Sequence, residues 1–316
     1  MSASTTYHQA LKRIIPMILI VLLVPAVKAQ SDTLKHPRVG NHAFTPITFS
    51  KLPLINTHLS THTGLGTSSG LVSNIGDLPV EGLAGEVTFF EMGFAYQQRV
   101  RNWLAAYMDI NVSARLGTEL QSILVQGFSA ITSFNIGWHI RLAEGEKSLL
   151  SGILELQNHK GSFTNVLGFV EDILNDRPNP SLSENIPLLV FATGLRFAYG
   201  LNETTGFKAS STLAYGERYI RGNYGYSYDL GAGVDFNFYP RYSVPLGLVL
   251  IYEITSMPDF VFVDGKNSQL IQTKIAFTKA SDFSLGLEFA FMKYPFNSQP
   301  ESVTVRYAAL SARYYF

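Results

Sequence analysis

The chain has no cysteine among its 316 residues. It therefore forms no disulfide and no thiolate metal site, and it cannot carry a lipid on an N-terminal cysteine. Charged residues are also scarce, at 15% of the chain, against about a quarter in typical soluble domains. The 24 basic and 24 acidic residues balance each other, which argues against nucleic acid as a partner. A soluble enzyme this poor in charge would be short of polar surface, whereas a barrel surrounded by lipid would not.

Long apolar runs are missing after the N-terminus. Lys12 and Arg13 precede one short run, residues 14–27, which falls short of the roughly 20 residues that a membrane-spanning helix needs. Its length and flank are typical of a secretory signal, and Val27-Lys28-Ala29 is a small-residue cleavage pattern. We predict a signal peptide over residues 1–29, with an uncleaved N-terminal anchor as the alternative. No later segment could form a helical membrane span.

Alternation of apolar and small polar residues fills most of the remaining chain. From 224 to 238 the even positions are Tyr, Leu, Ala, Val or Phe, and the odd positions are Gly, Ser, Asp or Asn. A period of two indicates strands with one apolar face. The other face is small and sparsely charged, which favours lipid outside and a narrow interior. The pattern predicts twelve strands, near 54–66, 86–99, 103–116, 127–142, 147–158, 187–200, 205–217, 223–240, 244–257, 268–279, 283–294 and 302–316.

The last predicted strand ends on an aromatic residue. Phe316, Tyr314, Ala312, Leu310 and Ala308 form its apolar face. This strand resembles the C-terminal assembly signal of Gram-negative outer-membrane proteins, whose last residue is typically Phe. The resemblance implies a location in the outer membrane of a Gram-negative bacterium, with outer-membrane lipid and the barrel-assembly machinery as partners. It is a resemblance to the porin-like class of barrels and to no specific family.

We therefore expect an all-β fold: a single antiparallel transmembrane β-barrel over residues 54–316. About twelve strands fit best, although ten or fourteen also fit. Short periplasmic turns alternate with longer extracellular loops, and both termini fall on the periplasmic side. Residues 30–53 form a periplasmic N-terminal segment, within which residues 44–50 are either an extra strand or a segment tucked inside the barrel mouth.

Two segments break the alternation. Residues 66–85 are rich in Gly, Ser and Thr and are predicted to form a loop. In the longest connection, 159–186, apolar residues recur at helical spacing and predict one short helix near 162–174, with Ser162 or Thr164 as its N-cap. The helix either rests at the rim or interface of the barrel, or folds over the pore as a lid.

Charged side chains on the polar face are the candidate functional residues, and inward glycines are expected to leave space for water or a small solute. The cations Arg141, Arg196 and Lys208 lie on different strands from Asp229, Asp235, Glu253 and Glu288. They either form a transverse field, which resembles the eyelet of general porins, or a salt-bridge network that fills the lumen. The candidate lumen-lining residues are Glu91, Asp109, His139, Arg141, Glu155, Arg196, Lys208, Asp229, Asp235, Glu253, Lys274 and Glu288.

The function that these features favour is a passive or facilitated channel for a small solute. The alternatives are a barrel enzyme that acts on lipid or peptide, and a non-conducting structural barrel. No catalytic residue, cofactor or metal site is predicted, because no nucleophile motif or phosphate loop occurs. His58 and His62 share a strand face but lie roughly 13 Å apart, which is too far to share a metal.

Overall fold

The computed structural model describes residues 38–48, 50–72, 84–117, 129–164, 175, 183–217, 224–256, 267–280, 282–294 and 303–316. The predicted signal peptide lies outside the described residues, and so do residues 165–174 of the predicted helix.

Twelve long strands close into one barrel. Each pairs with its sequence neighbour in antiparallel fashion, and the last strand pairs with the first long strand to complete the wall. This confirms the predicted single antiparallel barrel. A hairpin of β1 (Arg38–Val39) and β2 (His42–Ala43) precedes the wall strands, which are β3 (His58–Val72), β4 (Ala84–Arg101), β5 (Leu104–Gly117), β6 (Ser129–Glu144), β7 (Ser148–Thr164), β8 (Ser183–Gly200), β9 (Thr205–Glu217), β10 (Tyr224–Asn237), β11 (Leu246–Thr255), β12 (Ser268–Phe277), β13 (Phe283–Tyr294) and β14 (Val303–Tyr315).

The two ends of the barrel differ in their connections. At one end, called here the turn end, links such as 102–103 and 145–147 are tight. The link between β10 and β11 also lies at this end and contains one helical turn, α1 (Tyr239–Tyr242). The strand ends that are joined by longer stretches of chain, such as Val72 and Ala84 or Thr164 and Ser183, lie at the opposite end, called the loop end. In the described residues no helix is long and apolar enough to cross a membrane.

The outer surface of the wall is apolar. Leu213, Leu287 and Leu310 are each about half exposed, at 52%, 53% and 48%. Their neighbours Glu288 and Ser311, which point inward, are buried. Leucines exposed at alternate positions around a closed sheet are typical of a barrel whose outer face contacts lipid.

The first wall strand departs from the prediction at both ends. It begins at His58 rather than 54, because the carbonyls of Leu54 and Asn56 accept hydrogen bonds from the Gln97 amide (3.0 and 2.9 Å) and not from a strand partner. It also runs on to Val72, through residues predicted as a loop. A Cβ at Gly66 would lie 2.1 Å from the Phe89 ring, so glycine there lets that aromatic ring pack against the strand.

The predicted helix near 162–174 is wrong over its first residues. Ser162–Thr164 belong to β7 and continue its ladder with β8. Ser162 and Thr164, proposed as helix caps, therefore lie within a strand. The small residues Gly161 and Ser162 fit a ladder position as well as a cap, and the sequence pattern alone did not distinguish the two.

The N-terminal segment, defined as residues 38–56, fills the lumen at the turn end. Phe44 and Ile47 are 0% and 1% exposed. Phe44 belongs to an apolar cluster with Leu149 and Ala198 of the wall, and Ile47 packs with Val249 and Ile251. Residues 44–48 are not a strand. They lie in the interior without regular secondary structure, and their polar contacts are made with wall side chains.

Candidate functional site

Polar groups at every third position of the N-terminal segment contact carboxylates of the wall. The first two are His42 and Thr45, which share Asp235 of β10. His42 Nε2 lies 3.0 Å from Asp235 Oδ1, and the Thr45 backbone N–H donates to Oδ2 at 2.9 Å. His42, Thr45 and Asp235 are all 0% exposed, so this contact is sealed from solvent.

The next position, Thr48, is held by Glu288 of β13. The Thr48 N–H donates to Oε2 at 3.0 Å and its hydroxyl donates to Oε1 at 2.8 Å. Lys274 of β12 donates to the same carboxylate at 3.0 Å. Glu288 therefore joins the N-terminal segment to the wall and has its own charge neutralised within the wall.

Lys51 is the fourth position and bridges two strands. Its ammonium lies 2.7 Å from Asp109 of β5 and 2.6 Å from Glu155 of β7. It also lies 3.8 Å from the ring centre of Tyr107, whose hydroxyl donates to Glu155 at 2.6 Å. Burial lowers the pKa of the Lys51 ammonium, but the two carboxylates outweigh burial and raise the pKa above its ordinary value. Lys51 is therefore a charged anchor at neutral pH.

A cavity of about 280 Å³ lies in the middle of the barrel, with the N-terminal segment as one of its walls. Ile47, Thr48 and Lys51 belong to that wall. The opposite lining comes from the strands and is mostly polar, and it includes His58, His62, Tyr107, Asp109, Asn111, Asn135, Glu155, Gln157, Arg196, Thr212, Asp229 and Arg313.

Two of the predicted charges that line this cavity have no oppositely charged contact among the described residues. Arg196 of β8 donates to the Ser211 carbonyl and to the Thr212 hydroxyl, both at 3.0 Å, and to no carboxylate. Asp229 of β10 accepts a hydrogen bond from the Thr255 side chain and has no ion pair. Of the two predicted arcs of charge, only this cation and this anion line the cavity.

The other members of the arcs lie elsewhere. Asp235 and Glu288 hold the N-terminal segment, as described above. Arg141 pairs with Glu144 at the turn end, next to a register shift in the β6–β7 ladder. Lys208 is buried, and its ammonium has no hydrogen-bond partner in the described part of the chain. Glu253 of β11 pairs across the ladder with Gly231 of β10.

Glu91 and His139, the last two predicted lining residues, make short-range contacts. Glu91 lies 3.2 Å from His62 Nε2. His139 Nε2 lies 2.6 Å from the Ser151 hydroxyl, and these two residues are 1% and 0% exposed. A serine beside a histidine is the arrangement that nucleophilic catalysis needs, yet neither residue lines the described cavity. His139 and Ser151 therefore form a buried hydrogen bond between neighbouring strands of the wall.

The sequence analysis offered residues 44–50 as a segment inside the barrel mouth, but it did not predict the contacts of His42, Thr45, Thr48 and Lys51 with wall carboxylates. The signal that could have found them is a polar residue at positions 42, 45, 48 and 51, separated by Phe44, Pro46 and Ile47. A stretch with that content is too polar for a lipid-facing strand and too apolar for a solvated tail.

No protein-family model matches this chain, and no curated protein matches it. Among solved structures it is similar to the NanC porin, with 7% identity, a TM-score of 0.49, and coverage of 82% of this chain and 100% of that one. It is also similar to a Pseudomonas aeruginosa FadL homologue, with 8% identity, a TM-score of 0.48, and coverage of 83% of this chain and 90% of that one. For the translocator domain of the Neisseria meningitidis autotransporter NalP, the identity is 9%, the TM-score is 0.47, and the match covers 83% of this chain and 88% of that one. Likeness at this level does not extend to a ligand.

The fold and the site together define a transmembrane β-barrel whose turn end is filled by its own N-terminal segment and whose middle holds a charged cavity.

Proposed function

We propose that this protein is a channel for a small polar solute in the outer membrane of a Gram-negative bacterium, closed by its own N-terminal segment. The observation that supports the proposal is the boundary of the cavity. Strand side chains surround it, but on the side of the turn end it is bounded by residues of the segment, which are Ile47, Thr48, Ser50, Lys51, Leu52, Leu54 and Asn56. The segment is not part of the closed ladder of backbone hydrogen bonds, so it can move without breaking the wall.

The orientation of the barrel gives the route. Barrels of the outer membrane have short periplasmic turns and long outer loops, so the turn end would face the periplasm. A solute would enter at the loop end, reach the cavity, and pass into the periplasm when the N-terminal segment moves aside. Phe316 ends the strand that closes the wall, and the assembly machinery would recognise that strand.

The contacts of the segment make the closed state the dominant one. Asp235, Glu288 and the Asp109–Glu155 pair hold it at three places, and hydrogen bonds to charged groups contribute about 1.5–3 kcal/mol each. The apolar packing of Phe44 and Ile47 adds to this. Opening is therefore expected to be rare in the parent protein and much more frequent when one anchor is removed.

A reversible crosslink tests the proposal directly, and the cysteine-free chain makes it specific. A Cβ at Gly247 of β11 would lie 2.5 Å from the Thr45 hydroxyl, so side chains at these two positions would be in contact. In planar bilayers, Thr45→Cys/Gly247→Cys should carry no current when oxidised and should regain the openings of the parent protein after reduction. Each single cysteine variant serves as the control and should not respond to reductant.

Two results would contradict the proposal. Equal current in the oxidised and reduced double variant would show that the N-terminal segment does not close the path. Traces indistinguishable from a bare bilayer, in the parent and in the reduced variant alike, would leave a non-conducting structural barrel.

A further inference from the structure

One cation and one anion face the same cavity without touching each other. Arg196 lies on β8 and Asp229 on β10, with β9 between them. Both line the cavity, and no ion pair of the described residues joins them. Asp229 is exposed and Arg196 is half-buried, so a molecule in the cavity can reach both. This gap therefore offers separate positions for a positive and a negative group of one solute.

Several other charges at the cavity are paired. Lys51 is shared by Asp109 and Glu155, and His62 contacts Glu91. Arg313 of β14 also lines the cavity and makes a hydrogen bond with Tyr315, but it lies six strands from β8 and four from β10 in the ring. Arg196 and Asp229 are therefore the oppositely charged groups without an ion pair in the described residues that lie nearest each other in the ring.

The surroundings of these two residues favour opposite charges on the solute. A guanidinium is a strong donor to a carboxylate. A carboxylate is likewise a strong acceptor from an ammonium group, and Asp229 of β10 presents one at the cavity. A cationic group is therefore favoured at the β10 side of the cavity and an anionic group at the β8 side.

The size of the cavity limits the solute. A volume of about 280 Å³ is just below the range of roughly 300–1,000 Å³ found for drug-sized ligands. A cavity of this size with Arg196 and Asp229 in its lining suits a small molecule that carries one anionic and one cationic group. We propose that this cavity binds a small zwitterion of the α-amino-acid type, with its carboxylate at Arg196 and its ammonium at Asp229. The inference rests on the proposed channel function and names the class of its solute.

Binding can be measured without any current, by saturation-transfer-difference NMR on the full-length barrel refolded in detergent. The probes are L-alanine, propionate, ethylammonium and glycerol. Propionate lacks the ammonium of alanine and ethylammonium lacks its carboxylate. Alanine should bind at least about tenfold more tightly than either, since each fragment loses a charge-assisted hydrogen bond. Glycerol should bind most weakly.

Three variants assign the two ends of the solute. Arg196→Gln should remove the advantage of alanine over ethylammonium, and Asp229→Asn should remove its advantage over propionate. Arg141→Gln, at the turn end and away from the cavity, should keep both advantages. Arg196→Lys keeps the charge and should retain part of the affinity, which covers the case in which the glutamine variant fails to fold.

Propionate or glycerol binding as tightly as alanine would overturn this assignment. So would the absence of alanine binding in a protein that does carry current, in which case the channel stands and the solute class falls. Alanine binding to a barrel that carries no current has the opposite meaning, because it supports the site and contradicts the channel.

Discussion

Two aspartates on the same strand show how the two parts of the lumen differ. Asp235 lies near the turn end of β10, is 0% exposed, and is held by His42 and Thr45 of the N-terminal segment. Asp229 lies in the middle of the strand, lines the cavity, and has no cationic partner in the described residues. Asp235 is satisfied by the chain itself, whereas Asp229 is left for water or a solute.

The difference has a physical cause. A carboxylate that is fully removed from water needs hydrogen-bond donors nearby, so filling the turn end requires that the filling segment supply donors. His42, Thr45, Thr48 and Lys51 supply them. A carboxylate that faces a cavity of about 280 Å³ has room for bound water, which can supply donors in place of the N-terminal segment. The position of donors along residues 38–56 therefore marks which part of the lumen is occupied.

The largest expected effect is the difference in stability between Asp235→Asn and Asp229→Asn. Asp235→Asn leaves His42 and the Thr45 N–H without their charged acceptor and should cost roughly 3–5 kcal/mol, the range for breaking a buried charged contact. Asp229→Asn should cost under about 1 kcal/mol, since hydrated charges contribute little. The free energy of unfolding of the refolded barrels measures both, and equal losses would mean that the two regions do not differ.

Lys51→Gln should have a smaller energetic effect, but it should still release the N-terminal segment from Asp109 and Glu155. Lys51→Gln leaves Asp109 and Glu155 close together with no cation between them. A loss of about 1.5–3 kcal/mol should raise the open fraction in bilayers by about tenfold or more. The matched control is Arg141→Gln, which makes the same kind of substitution in an exposed pair with Glu144. An open fraction that stays at the parent value in Lys51→Gln would show that this anchor does not hold the gate.

The strands were predictable from the sequence because each one repeats a local pattern of two. Residues 283–294, for example, were predicted with the bounds that the structure gives to β13. The lumen contacts were not predictable, because they join residues far apart in the chain. The Thr45–Asp235 and Thr48–Glu288 contacts span 190 and 240 residues. No local pattern encodes which carboxylate a segment meets after the sheet has closed.

The inward glycines show a second limit of the sequence analysis. They were expected to leave space in the lumen, but at several of them neighbouring groups occupy that space. A Cβ at Gly93 would lie 2.1 Å from the His62 ring, and one at Gly286 would lie 2.6 Å from the Ile275 carbonyl. These glycines allow close approach rather than create a pore. Their role depends on neighbours in other strands, which the sequence does not specify.

The smallest expected effect concerns pH and sharpens the role of Lys51. Because the carboxylates raise the pKa of this group above its ordinary value of 10.5, its anchoring is complete below that value and is lost as the pH rises through the raised pKa. The open fraction should therefore stay constant across the neutral range and increase only in alkaline solution. The increase should be smaller than that of Lys51→Gln, since deprotonation removes the charge but keeps the length and position of the lysine side chain. Bilayer recordings of both proteins over a pH series test this, with the alkaline step expected in the parent and missing in Lys51→Gln. A step of equal size in both would assign the transition to another group.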